Sequence, residues 1–251
     1  MKVTPIKTDK ILPGKSPLNS VLDEFLPELS EDSVLAVTSK VVALCEGRVV
    51  PVDEANKNDL VIRESDYYLP ENLSKYGFSF TILHNTLVPA AGIDLSNSAG
   101  NYVLWPADPQ KSANEIRHYL RDRFGLKKVG VIITDSTARP LHYGTEGIGI
   151  RYSGFKPSNN YVGKPDLFGR KLEVSVSNVF DALAAAAVVV MGEGAEQTPL
   201  ALIEDVPFVE FRDKDPSQEE LNGFFIDHME DDLFEPFLRS MGWQKGGRGT
   251  P

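Results

Sequence analysis

Val129-Gly130-Val131-Ile132-Ile133-Thr134-Asp135-Ser136 decides how this chain folds. Its first five positions form an apolar, largely β-branched run without polar alternation, so the spacing predicts a buried strand rather than a half-exposed one. Gly125-Leu126-Lys127-Lys128 bounds it on one side and Asp135-Ser136 on the other. Just upstream, Asp108-Pro109 starts a helix in which Ile116, Tyr119, Leu120 and Phe124 face inward, and Gly125 stops it. Downstream, Asn178 to Met191 reads as an Ala-rich helix closed by Gly192, small enough all round to sit close against a sheet or another helix. Ser33 to Val37 reads as another strand, ending in Thr38-Ser39-Lys40. Val3–Ile6, Phe78–Leu83, Tyr102–Trp105, Ile148–Tyr152, Leu172–Val176 and Leu200–Ile203 also read as extended. Ser16-Pro17 opens a helix with Ser16 as N-cap and Pro17 at its first position; Leu18, Val21, Leu22, Phe25, Leu26 and Leu29 form its buried stripe.

The chain has 251 residues, 41% hydrophobic and 25% charged, enough for one large domain or two joined ones. A net charge of -10 and a pI near 5.0 oppose binding to nucleic acid or an anionic membrane, either of which needs a basic face. One cysteine, Cys45, permits no internal disulfide, and with no signal-like N-terminus the expected setting is the cytoplasm. Cys45 lies in an apolar stretch and reads as packing rather than as a nucleophile. No apolar run approaches the roughly 18 residues a membrane span needs. After Glu204 the chain becomes acidic, yet phenylalanines and leucines punctuate it. Residues 205–245 are therefore expected to form an ordered layer on the body of the protein, and 246–251 a frayed tail.

Three short acidic signatures carry the chemistry: Ala91-Gly92-Ile93-Asp94-Leu95-Ser96-Asn97, Val131-Ile132-Ile133-Thr134-Asp135-Ser136 and Met191-Gly192-Glu193-Gly194. Each sets one carboxylate among small residues at the end of an apolar run, where backbone can approach a ligand. Carboxylates with oxygen-bearing neighbours, and no Cys or His beside them, suit a hard cation such as Mg²⁺ or Mn²⁺. Taken singly, Asp135 could be a turn former and Gly192-Glu193-Gly194 a helix cap; the shared chemistry of the three favours function. Gly14-Lys15-Ser16 imitates the end of a P-loop but has Asp9 where the loop needs glycine. Ser136 lacks the Gly-x-Ser-x-Gly elbow of a hydrolase nucleophile. Arg139, Arg151 and Arg170 are candidate anion clamps for a substrate. No two of the four histidines have metal-ligand spacing: His118 reads as solvated, and His142 is the one near the Asp135 segment.

Together with Val37-Thr38-Ser39-Lys40, Glu46-Gly47-Arg48 and Gly163-Lys164-Pro165-Asp166-Leu167-Phe168-Gly169-Arg170, these signatures resemble, in order, the coenzyme F420-0:γ-glutamyl ligase family. The chain looks most like the bacterial branch described as γ-glutamate ligases of folate metabolism. The resemblance implies an α+β fold of mixed sheets and packed helices, in two intimately joined subdomains over residues 1–204. It further implies a homodimer using ATP or GTP and two divalent metals. L-glutamate would be added in γ-linkage, once or repeatedly, to a folate-type acceptor or alternatively to F420-0, through an acyl phosphate. By position, Asp94, Asp135, Ser136 and Glu193 match the family's metal ligands. Ser39, Lys40, Asn97, Met191, Gly192, Gly194 and Gln197 match its nucleotide site, with Ile11 and Leu12 in the stretch Asp9 to Leu12. Leu44, expected on an extended segment, stands where related ligases usually carry lysine, which puts GTP preference in doubt. Rival readings of the same carboxylates are a metal-dependent phosphohydrolase and a silent nucleotide-binding module.

Overall fold

The computed structural model describes residues 1–248. Its strands are β1 (Lys2–Ile6), β2 (Ser33–Thr38), β3 (Val49–Pro51), β4 (Tyr67–Tyr68), β5 (Phe80–Leu83), β6 (Thr86–Pro89), β7 (Asn101–Val103), β8 (Val129–Ala138), β9 (Thr145–Ser153), β10 (Ser158–Asn160), β11 (Val176–Asn178), β12 (Leu200–Glu204) and β13 (Gln244–Lys245). Its α-helices are α1 (Leu18–Phe25), α2 (Ser39–Glu46), α3 (Lys57–Glu64), α4 (Pro109–Phe124), α5 (Val179–Met191), α6 (Gln218–Asn222) and α7 (Glu235–Ser240).

The main sheet runs β1-β12-β2-β8-β9, with β2 and β8 parallel and the other pairs antiparallel. Residues along β2 alternate between two cores, as a pleated strand covered on both faces must. Leu35 and Val37 join Leu22, Ile116 and Leu120 on one side. Val34 and Ala36 join Phe180, Ala184, Ala187 and Met191 of α5 on the other. The fit of α5 depends on glycine: a Cβ on Gly149 of β9 would stand 2.1 Å from the Phe180 ring. A smaller sheet, β13-β4-β5-β6, shares the first core through Leu83 and Val88. The architecture is α+β, with mixed sheets and packed helices, as the resemblance implies.

Asp108 starts α4 as expected, and Asn178, read as the first residue of its helix, is the N-cap of α5; each side chain accepts from a backbone N–H of the first turn. Three local expectations change. Pro17 occupies the N-cap place of α1, one residue after Ser16, and no side chain caps that helix. Leu172 to Ser175 is not strand; only Val176–Asn178 pairs, with Ser158–Asn160, at the base of an exposed arm. Gly246, Gly247 and Arg248 are tied by backbone hydrogen bonds to Asp66, Ile62 and Ser65, so this part of the expected frayed tail is docked. Residues 249–251 of that tail lie outside the described residues.

The acidic layer after Glu204 docks on α4 through charge. Arg117 is fully buried, donating from Nη1 to Asp215 and from Nη2 to the carbonyl oxygen of Arg212, both at 3.0 Å. Arg121 pairs with Asp213 at 2.7 Å. His118 is exposed, as expected, and lies 2.9 Å from Asp215. Phe224 and Phe225 then complete a ring cluster with Tyr152 and Phe180. Among the described residues, no helix is long and apolar enough to cross a membrane.

Candidate active site

A cavity of about 590 Å³ opens at the ends of β2 and β8, and all three acidic signatures line it. Asp94, Asp135, Ser136 and Glu193 are in its wall, with Ile11, Leu12, Ser39, Lys40, Asn97, Met191, Gly192, Gly194 and Gln197. The parallel register of β2 and β8 puts Thr38 opposite Thr134, so Ser39-Lys40, where β2 gives way to α2, lie beside Asp135-Ser136 of β8. Asn97 Nδ2 donates to the Gly194 carbonyl oxygen at 2.9 Å, tying the first signature to the third. Thr8 N–H donates to the Gln197 carbonyl oxygen at 2.8 Å, which anchors the segment leading to Ile11 and Leu12.

Each carboxylate has its own partner. Asp94 Oδ1 accepts from the backbone N–H groups of Leu95 and Ser96. Its Oδ2 accepts from Ser96 Oγ at 2.6 Å and Lys40 Nζ at 2.5 Å. Burial opposes ionisation of Asp94, but these bonds from Lys40 and Ser96 win and hold its pKa at about 2. Asp135 is the reverse: burial pushes it up to about 6 despite hydrogen bonds from Ser136 N–H and Trp105 Nε1. Glu193 is exposed and its Oε2 accepts from Ser136 Oγ at 3.1 Å.

The donor chemistry fits a hard cation, since these are carboxylate and hydroxyl oxygens set around one space. The expected closure of three carboxylates on one point is a different matter. Among the described residues, no three His, Cys, Asp or Glu side chains are grouped so as to hold a metal ion. At Asp94 the Lys40 ammonium occupies the carboxylate oxygen that faces it.

The candidate anion clamps lie outside this cavity. Arg139 is exposed and pairs with Glu146 at 3.3 Å. Arg170 is on the arm, 3.4 Å from Glu173. Arg151 is buried beside a separate cavity of about 430 Å³, its guanidinium donating to the carbonyl oxygens of Ile150 and His84 and stacking on Phe225. The cations that do line the active cavity are Lys40 and Lys10. His142 is exposed, its ring nitrogen 3.2 Å from the Pro140 carbonyl oxygen. Burial, then Glu46, pushes the Cys45 thiol up to about 11, so it is no nucleophile at neutral pH. Leu44 lines the cavity but sits on α2, a helix rather than an extended segment. Trp105 and Ser96 were not foreseen as partners of the carboxylates; the only sequence signal for Ser96 was its place in the first signature.

A family model described as F420-0:Gamma-glutamyl ligase matches residues 5–205. Among curated proteins, the chain is 32% identical to the coenzyme F420:L-glutamate ligase of Methanopyrus kandleri over 224 residues, covering 80% of this chain and 86% of that protein. It is 34% identical to the protein of the same name from Archaeoglobus fulgidus, over 69% of this chain and 75% of that one. The protein of the same name from Methanothermobacter thermautotrophicus is 30% identical, over 77% and 82%.

Proposed function

The chain belongs to the F420-0:gamma-glutamyl ligase family and is a glutamate ligase; from that premise we propose that it joins the amine of L-glutamate to the terminal carboxylate of coenzyme F420-0. The names of the relatives favour this acceptor over the folate-type one that the sequence suggested. The observation that carries the reading is the gathering of Asp94, Asp135 and Glu193, with Lys40, around one cavity of about 590 Å³. A nucleoside triphosphate would lie there, its phosphates toward the first turn of α2, where the positive end of the helix and Lys40 offer positive charge. Asp94, Asp135, Ser136 and Glu193 would hold divalent metal, Mg²⁺ or Mn²⁺, which when bound offsets the repulsion between an acceptor carboxylate and the γ-phosphate.

The protein's own groups do the positioning. Lys40 can reach a phosphate oxygen when it leaves Asp94. The Asn97–Gly194 and Thr8–Gln197 contacts hold the cavity walls at fixed spacing, so that the acceptor carboxylate is presented to the phosphate. The acceptor carboxylate attacks the γ-phosphorus and the nucleoside diphosphate leaves; the deprotonated glutamate amine then attacks the carbonyl carbon of the acyl phosphate, phosphate leaves, and the nitrogen gives up a proton to yield the amide. No enzyme nucleophile is needed, which agrees with the high thiol pKa of Cys45.

We further read the protein as a cytoplasmic homodimer. The arm supports association with a second copy, since Leu167, Phe168 and Val174 on it are almost wholly exposed. A monomer mass by light scattering at micromolar concentration refutes that part. The test of function is mass spectrometry after incubation with L-glutamate, Mg²⁺ or Mn²⁺, ATP or GTP, and either F420-0 or a folate. A γ-glutamyl product on F420-0 is expected. Triphosphate hydrolysis that needs neither glutamate nor acceptor would instead mark a phosphohydrolase.

A further inference from the structure

Trp105 is buried at 3% exposure, and its one polar atom is directed at a functional group. Nε1 donates to Asp135 Oδ2 at 2.5 Å, while the other oxygen, Oδ1, accepts from the backbone N–H of Ser136 at 2.9 Å. Each oxygen of this carboxylate is thus held by one fixed donor. Two features lock the indole. His84 stacks on it with ring planes 9° apart and centroids 6.5 Å apart. On the opposite element, Gly92 gives it room: a Cβ there would stand 2.0 Å from Trp105 Nε1. Gly92 belongs to the same signature as Asp94, and its φ of +66° is one that other residues rarely adopt. The glycine of the first signature therefore admits the indole that orients the carboxylate of the second.

From this we infer that Trp105 is a positioning residue for the ligation reaction, fixing the Asp135 carboxylate so that one lone pair of each oxygen remains directed into the cavity. A carboxylate tethered at both oxygens presents a preset ligand geometry and loses little freedom when it binds a cation, whereas an untethered one must first be ordered. The inference rests on the reading of Asp135 as a metal ligand in the proposed function.

The test compares the native chain with Trp105→Phe and Asp135→Asn, following bound Mn²⁺ by electron paramagnetic resonance with and without added nucleotide. A third form keeps the ring shape and removes only the N–H, by incorporating benzothienylalanine at position 105 in a Trp243→Phe background. Trp105→Phe and the benzothienyl form are expected to bind Mn²⁺ at least about tenfold more weakly, the scale on which supporting contacts tune metal sites. Their kcat should recover as Mn²⁺ is raised, while KM for glutamate stays put. A merely structural Trp105 would lower thermal stability without shifting the Mn²⁺ dependence. Native Mn²⁺ affinity in the benzothienyl form, with Asp135→Asn losing the ion, overturns this inference and leaves the proposed function standing. A native chain that binds no Mn²⁺ and ligates without divalent metal overturns both.

Discussion

Lys40 Nζ lies 2.5 Å from Asp94 Oδ2 and 3.0 Å from both the hydroxyl and the carbonyl oxygen of Ser96. Three oxygens around a compact ammonium form the kind of seat a hard cation also takes. If Asp94 holds metal as proposed, Lys40 and the divalent ion would compete for it, and the loser would be available for phosphate. Lys40→Met should bind Mn²⁺ more tightly than the native chain in the absence of nucleotide, yet bind nucleotide more weakly and turn over slowly or not at all. Metal titration and equilibrium dialysis measure the two halves; weaker metal binding in the variant would show that Lys40 is a support of Asp94 rather than its competitor.

Arg117 ties the acidic layer to α4 from a fully buried position, and its partners Asp215 and the Arg212 carbonyl oxygen belong to that layer. Removing one side of such a pair leaves the rest without compensation and costs roughly 3–5 kcal/mol. Arg117→Met should lower the urea midpoint and open the segment around Asp213 and Asp215 to proteolysis. Protection of that segment unchanged from the native chain would mean that Phe224 and Phe225 hold the layer unaided.

Legibility in the sequence followed the range of the interactions. The buried strand at Val129 to Ile133 and the helix start at Asp108-Pro109 were readable because strand burial and helix initiation are written within a few residues. The three carboxylates were readable because each sits in its own signature at the end of an apolar run. Trp105 was not, since its hydrogen bond to Asp135 joins the segment after β7 to a strand of another sheet through tertiary packing alone, and depends on the space left by a glycine 13 positions earlier. The arginines misled for the mirror reason. Arg151 reads in sequence as an anion clamp, and only the fold reveals that its guanidinium is spent on holding segments together. Leu44 was placed on the right wall but on the wrong kind of element.

His84 gives the fold a pH dependence of definite sign. Burial first, then Arg248, Arg151 and Arg48 against the opposing Asp108, lowers its pKa from 6.5 to about 3. The Asp66 carboxylate faces the same residue, accepting from its backbone N–H. Between those values the unfolded chain binds a proton that the folded chain refuses, so stability is full above about pH 6.5 and falls as pH drops toward 3. From pH 7 to pH 5 the loss from this group is on the order of 2 kcal/mol. His84→Asn, which tolerates the left-handed φ of 50° at this position, should remove that part of the decline. Chemical denaturation of both forms at the two pH values checks it; identical declines would assign the acid sensitivity to carboxylates alone.

On the proposed function, an apolar part of the cavity wall would face the nucleotide base. Leu44 is nearly buried at 4% exposure and contributes to the same side as Ile11 and Leu12. Its carbonyl oxygen accepts from Gly14 N–H at 2.9 Å, so the segment around Ile11 and Leu12 is fastened to α2 at this residue. An apolar side chain neither donates nor accepts a hydrogen bond, and an aliphatic wall grips a purine by its faces rather than by its edge. Adenine and guanine differ at that edge. ATP should therefore support ligation at least as well as GTP, measured as kcat/KM for each triphosphate under identical metal. Leu44→Lys would set an ammonium in a nearly closed position, costing stability by desolvation unless the chain reaches into the cavity. In that variant the GTP to ATP ratio should rise relative to the native protein, because a lysine at this place can donate to an acceptor on guanine. A strong native preference for GTP, unchanged by Leu44→Lys, would show that the base is read elsewhere in the cavity.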